Sequence, residues 1–280
     1  MQKLLSLPEN LVHSFHEITG NSKDQWFVMS DPEGSKIGSG GGTAWLLAGH
    51  QKCTGHSASF ADYLCADKKI IIHAGGQSRR LPAYAPSGKI LAPVPVFRWS
   101  RGQRIDQTLL DLQLPLLERI MEASGAGQHV MIAAGDVLIQ SADVPFTLPE
   151  ADVVCFGIWT DPHLASRHGT FFTPRNNPQQ LDFMLQKADL GTIEQLSESH
   201  LYLMDVGIWI LSDKAVDLLM KRCGWNGMDF RNGTPDFYDL YGSFGTCLGD
   251  HPSVVDPEIG KLSSAVVPMN RGLFYHYGTS

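Results

Sequence analysis

The stretch "IIIHAGGQSRRLPAYAPSGK" spans residues 70–89. An apolar run stops at Gly75 and Gly76, a polar turn with Arg79 and Arg80 follows, and Lys89 closes the segment. A continuous apolar run, unlike an alternating one, is the pattern of a strand covered on both faces, as in parallel sheets. Ligands of such sheets sit beyond the carboxyl ends of the strands, and the two glycines fall there. Glycine lets phosphate oxygens come close to backbone N–H groups. Arg79 and Arg80 are forked donors suited to β- and γ-phosphates, and Lys89 is a compact charge suited to an α-phosphate. The segment reads as the seat of a polyphosphate. A tight turn flanked by surface arginines is the alternative that these residues alone leave open.

Working outward, "WFVMS" at 26–30 reads as a strand and residues 9–20 as a helix, with Leu11, Phe15 and Ile18 on one face. "GSGGGT" at 38–43 is a second glycine loop ahead of a helix. It fits neither the phosphate-loop pattern nor G-x-G-x-x-G. Gly40, Gly41, Gly42 and Thr43 still offer an anion or base seat at a helix N-terminus, or else a flexible surface loop. "HVMIAAGD" at 129–136 is another buried strand, ending on Asp136. Residues 108–124 read as a helix kinked or broken at Pro115. Strands are expected at 151–159, 169–173 and 201–211, and a helix at 212–223 with Ser212 as N-cap. The alternation of strand and helix predicts an α/β fold with a mixed, mostly parallel central sheet and helices on both faces.

Composition narrows the function. The chain has 280 residues, 43% of them hydrophobic, enough for a sizeable core. A net charge of −7 argues against non-specific nucleic-acid binding. The five cysteines, Cys53, Cys65, Cys155, Cys223 and Cys247, are scattered, with no C-x-x-C pair. Reduced thiols in a cytoplasmic protein are expected. There is no signal-peptide core and no apolar run of membrane-spanning length.

"IIIHAGGQSRRLPAYAPSGKILAPVP" resembles the signature of sugar-nucleotide pyrophosphorylases: an apolar strand, then A-G-G-x-G-T-R-L, then P-K. With "GSGGGT" and "RGQRIDQTLLDLQLPL" the likeness is to the fucose-1-phosphate guanylyltransferases, which occur alone or joined to a fucokinase, and extends from about Phe27 onward. The resemblance implies a Rossmann-like sugar nucleotidyltransferase fold, with Gly75 and Gly76 as the paired glycines, Arg80 as the signature arginine and Lys89 as the lysine of P-K. Gly40, Gly41, Gly42, Thr43, Ser78 and Arg79 join them around the nucleotide. Ser78 and Arg79 replace the usual Gly-Thr, and Gly88 stands where proline precedes the lysine. Asp136 takes the place of the magnesium-binding aspartate. "HYGT" puts His276 where a second metal aspartate is usual; imidazole is an inferior magnesium ligand, so phosphate contact is an alternative, and a structural role is the commoner fate of a lone histidine. "SRHGTFFT" resembles the R-x-G segment ahead of the sugar-facing strand and marks Gly169. "LDFMLQKAD" places Lys187 near the sugar 1-phosphate, with Gln186 and Ala188 replacing the usual Glu and Pro. Asp205 takes a sugar-contacting position, or is a strand-end cap.

The expected reaction is GTP plus L-fucose 1-phosphate to GDP-L-fucose plus pyrophosphate, with Mg2+, and with Lys89, Arg80 and Asp136 as the catalytic residues. A non-catalytic sugar-nucleotide-binding module and a pyrophosphorylase for another sugar 1-phosphate are the rivals. The resemblance also implies that residues 1–280 are the nucleotidyltransferase domain of a longer polypeptide, followed by a β-helical domain and a fucokinase.

Overall fold

The computed structural model describes residues 1–55, 59–75, 88–94, 106–141 and 147–277. Its centre is β3 (Lys69–His73), the apolar run read above. Successive side chains of a strand point to opposite faces. Ile71 accordingly joins a core with Leu4, Ile132 and Trp209, while Ile70 and Ile72 join a second core with Leu5, Met131 and Ile208. Both faces are covered, which is why the run has no polar alternation.

Four parallel strands form one side of the sheet. β3 lies between β4 (Val130–Ala134) and β1 (Gln2–Ser6), and β1 carries β2 (Trp26–Met29) on its far side. Beyond β4 the sheet turns mixed. The long β9 (His200–Leu211) is antiparallel to β4 and to β6 (Val153–Ile158), and β10 (Ser264–Pro268) pairs parallel with β6. The first residues of β9 pair with β7 (Gly169–Pro174), which in turn pairs with β8 (Phe183–Gln186). One face is packed by α3 (Gly38–Cys53), α4 (Phe60–Ala66) and α8 (Asp213–Arg222), the other by α5 (Leu109–Glu122) and the short α1 (Glu9–Val12) and α2 (Phe15–Thr19). The short helices α6 (Pro162–Ala165) and α7 (Leu190–Leu196) pack against each other. A separate antiparallel pair joins β5 (Val137–Gln140) to β11 (Leu273–His276).

The expected fold class and the main strands are present, with four differences. β1 was not anticipated. Its Lys3 is buried and paired with Glu118 of α5 at 3.0 Å, so the strand carries a charge where an apolar residue would have announced it. Residues 9–20 form two helices, not one, and Ile18 is exposed while Leu11 and Phe15 are buried. α5 runs through Pro115 without a break; Thr108 and Asp111 close a capping box at its start. Finally, "GSGGGT" is not a loop but the first turns of α3. The backbone N–H groups of Gly40 and Gly41 donate to Tyr238 O at 2.9 and 3.1 Å, satisfying donors that a helix start leaves open. A Cβ on Gly38 would lie 2.5 Å from that carbonyl oxygen, and one on Gly40 2.9 Å from the Tyr238 ring. The tract is glycine-rich because another chain segment crosses it at van der Waals contact.

Candidate active site

The carboxyl ends of β3 and β4 meet through Gly135. Its N–H donates to His73 O at 2.9 Å, and a Cβ there would sit 2.8 Å from both that oxygen and Ala74 Cβ. Only glycine permits this approach, and it delivers Asp136 to the mouth of the sheet. Lys89, at the start of a short 3-10 turn (Lys89–Leu91), places Nζ 3.1 Å from Asp136 Oδ2. The register of β5 with β11 sets His276 opposite Val137, and its Nε2 lies 3.5 Å from Asp136 Oδ1. Burial alone would raise the Asp136 carboxyl. The hydrogen bond and charge of His276, with the Lys89 ammonium, outweigh it and hold the group at about 2.

Asp136 stands where two cavities join. The first, 520 Å³, is lined by Ser6, Asp31, Lys36, Gly42, Gly75, Lys89 and Phe237 among others. The second, 360 Å³, is lined by Arg167, His168, Gly169, Lys187, Asp205, Gly207, Tyr241 and His276 among others. Ser39, His73 and Asp136 line both. Of the residues expected around the nucleotide, Gly42 and Gly75 line the first cavity, whereas Gly40 and Gly41 face the 235–238 segment. Thr43 acts indirectly: its hydroxyl donates to Ser39 O at 3.0 Å and lies 2.8 Å from His73 Nε2. Burial pushes the His73 imidazole down to about 4, so it is neutral. Gly76, Ser78, Arg79 and Arg80 lie outside the described residues.

The residues expected on the sugar side, Gly169, Lys187 and Asp205, converge on the second cavity. Lys187 has φ 49°, a left-handed conformation that costs a non-glycine residue about 1–3 kcal/mol and tends to persist at functional positions. Its N–H is held by His168 O at 3.0 Å. Asp205 accepts from Gly207 N at 2.7 Å and Trp209 Nε1 at 3.1 Å, yet burial outweighs both and pushes its carboxyl up to about 7. Burial, with lesser contributions from His276, Lys187 and Arg167, pushes His168 down to about 4.

Three residues escaped the sequence reading. His73 is hidden inside an apolar strand. Asp31 follows β2 with no motif around it; burial raises its carboxyl, opposed by a 3.4 Å hydrogen bond from Ser6. Phe237 lines the cleft with its ring 66% exposed. None of the three carries a signal that the sequence alone would show.

A magnesium ion suits one part of this donor set. Asp136 is an ionised, partly exposed carboxylate at the junction, and magnesium needs few protein carboxylates where substrate phosphates complete its shell. His276 Nε2 stands 3.5 Å from Asp136 Oδ1, and both residues line the second cavity.

The family model described as "Fucose pyrophosphorylase domain" matches residues 61–248, which include β3, Lys89, Asp136, Lys187 and Asp205. The chain is 55% identical over 280 residues to an L-fucokinase/L-fucose-1-P guanylyltransferase of Bacteroides fragilis, covering 100% of this chain and 29% of that protein. It is 29% identical over 165 residues to a bifunctional fucokinase/GDP-fucose pyrophosphorylase of Arabidopsis thaliana, covering 53% of this chain and 16% of that one. A fucose-1-phosphate guanylyltransferase of Homo sapiens is 38% identical over 92 residues, covering 33% of this chain and 13% of that protein. The chain thus spans less than a third of the length of these relatives. By the extent of the family match and the residues inside it, the chain belongs to the fucose pyrophosphorylase family.

Proposed function

We propose that this chain is a nucleotidyltransferase that joins GTP and L-fucose 1-phosphate into GDP-L-fucose and releases pyrophosphate. The observation that carries the reading is the Lys89–Asp136 pair at the junction of two cavities, one suited to a nucleotide and the other to a sugar phosphate. Fucose itself rests on the names of the relatives.

An oxygen of the sugar 1-phosphate attacks the α-phosphorus. The new P–O bond forms as the bond from that phosphorus to the β-phosphate bridging oxygen breaks, and pyrophosphate leaves. The nucleophile is already anionic at neutral pH, so no strong general base is needed. The protein's work is positioning and charge neutralisation. Lys89 would meet charge developing on the α-phosphate. Lys187 and Arg167 line the second cavity as cations for the attacking phosphate. Arg79 and Arg80 would hold the departing pyrophosphate. Magnesium, held by Asp136 together with substrate oxygens, would neutralise further phosphate charge. Asp31 and Phe237 suit the base or ribose: the carboxylate has the wrong sign for phosphate, and the ring offers a stacking face. A fucokinase in the same full-length polypeptide would supply the sugar 1-phosphate, and five free thiols suit a cytoplasmic setting. Among the described residues, no helix is long and apolar enough to cross a membrane.

The test is pyrophosphate release across a matrix of GTP, ATP and UTP against fucose, mannose and glucose 1-phosphates. Turnover confined to GTP with fucose 1-phosphate is expected. Turnover with a different pair would reassign the substrates. Nucleotide binding without turnover for any pair would make this a binding module.

A further inference from the structure

The end of the sheet opposite the cleft holds a second cluster of chemically able side chains. Cys65 lies on α4, His129 directly precedes β4, and Asp213 opens α8. Residues 65, 129 and 213 are far apart in sequence, so no motif announces them. The fold brings the Cys65 Sγ within 3.2 Å of Asp213 Oδ2 and His129 Nδ1 within 2.9 Å of Asp213 Oδ1. One ligand atom from each residue lies within 4.8 Å of the other two.

We propose that Cys65, His129 and Asp213 bind a borderline divalent transition metal, with Zn2+ the best match. The donor set is one sulfur, one imidazole nitrogen and one carboxylate oxygen. Zinc takes these at about 2.3, 2.0–2.1 and 2.0–2.2 Å, and three protein ligands leave a fourth position for water. Ligands at those bond lengths stand ~3.5 Å from one another in a tetrahedron, so modest side-chain rotation closes the site around an ion. The hard ion suited to the cleft is a poor match here, because thiolate and imidazole favour softer metals. A thiolate and a carboxylate also cancel the charge of one divalent ion.

The neighbouring cation does not stand in the way. Lys69 Nζ donates to the carbonyls of Tyr63, Leu64 and Asp67 at 2.8, 3.1 and 2.7 Å, so its hydrogen-bonding capacity is used on the backbone. The Cys65 thiol now donates to Asp213, and metal binding would displace that proton. Cys65 is exposed, so an ion can reach it from solvent. The bound ion would tie α4, the start of β4 and the start of α8 together, a cross-link remote from the chemistry.

The experiment uses the full chain, stripped with chelator and then titrated with Co2+ and with Zn2+. One equivalent of Co2+ should give a thiolate-to-cobalt charge-transfer band and the visible bands of a tetrahedral ion, and Zn2+ should abolish both. Zn2+ should also raise the melting temperature. Cys65→Ser should remove the band and the stabilisation, His129→Ala should weaken binding at least about tenfold, and Cys53→Ser, at the other exposed thiol, should change neither. Absence of a charge-transfer band in the wild-type chain overturns the proposal whatever the variants do. So does a band that survives Cys65→Ser; the three side chains would then be a hydrogen-bonded clasp only.

Discussion

Lys89 and Asp136 neutralise each other across 3.1 Å, and both face a cleft that would receive a highly charged substrate. A cation so placed matters most when charge builds on the reacting phosphate. Lys89→Ala is expected to lower kcat by about 10²–10³ while changing GTP affinity only a fewfold. Single-turnover rates beside calorimetric Kd values separate the two effects. A kcat within a fewfold of wild type would remove Lys89 from the chemistry. Asp205 gives a different test. Its folded pKa, about 7, stands above the ordinary 3.8 of a carboxyl, because burial favours the neutral form. The folded state therefore binds this proton more tightly than the unfolded state. The associated stability is fully present below about pH 4 and is lost as pH rises through 7. Each pKa unit corresponds to ~1.4 kcal/mol, so the ceiling is a few kcal/mol. Asp205→Asn keeps an oxygen for Gly207 and Trp209 but cannot ionise. It should raise the melting temperature at pH 8, with the gain shrinking toward pH 5. A difference independent of pH would mean that Asp205 does not titrate in this range.

At the scale of elements, the glycine tract of α3 serves packing before it serves ligands. Gly40→Val would force Cβ against the Tyr238 ring and carbonyl, at 2.9 and 3.0 Å. Overpacking of this kind costs about 1–3 kcal/mol, so the melting temperature should fall by several degrees, with weakened GTP binding following from it. An unchanged melt with lost GTP binding would restore the tract as a direct nucleotide seat. The same comparison shows what the sequence made legible. β3 and β4 were readable because strands buried on both faces must be apolar throughout. α8 was readable from Ser212, whose hydroxyl does accept from Ala215 N. The glycine tract was misread because composition alone does not distinguish a pliant loop from a helix crossed closely by another segment. β11 was invisible, being four residues long with alternating exposure, although it delivers His276 to Asp136. Lys187 and Gly169 were proposed through the motif likeness alone, because the features that bring them to the second cavity are visible only in the fold.

For the whole molecule, the two cavities share Ser39, His73 and Asp136, so they form one cleft and not two independent sites. A sugar nucleotide spanning both should bind more tightly than either GDP or fucose 1-phosphate. Lys187→Ala should weaken the sugar nucleotide and fucose 1-phosphate while leaving GDP within a fewfold. Calorimetry on the three ligands checks this. Equal losses for all three would mean that the substitution perturbs the cleft as a whole.

β9 crosses both regimes of the sheet. Residues 208–211 pair with β4 on one side, and 209–211 with β6 on the other, while 200–204 pair with β7 in the arm that carries Gly169. One continuous strand should therefore show two clocks in hydrogen–deuterium exchange. Amides at 208–211, locked between inner strands, should exchange only when the entire protein unfolds. Those at 201–203 should exchange sooner, through opening of the β7–β8 arm. Occupancy of the sugar side would slow the second clock and leave the first unchanged, so this strand alone can report, by mass spectrometry and without an attached probe, whether the sugar side of the cleft is filled.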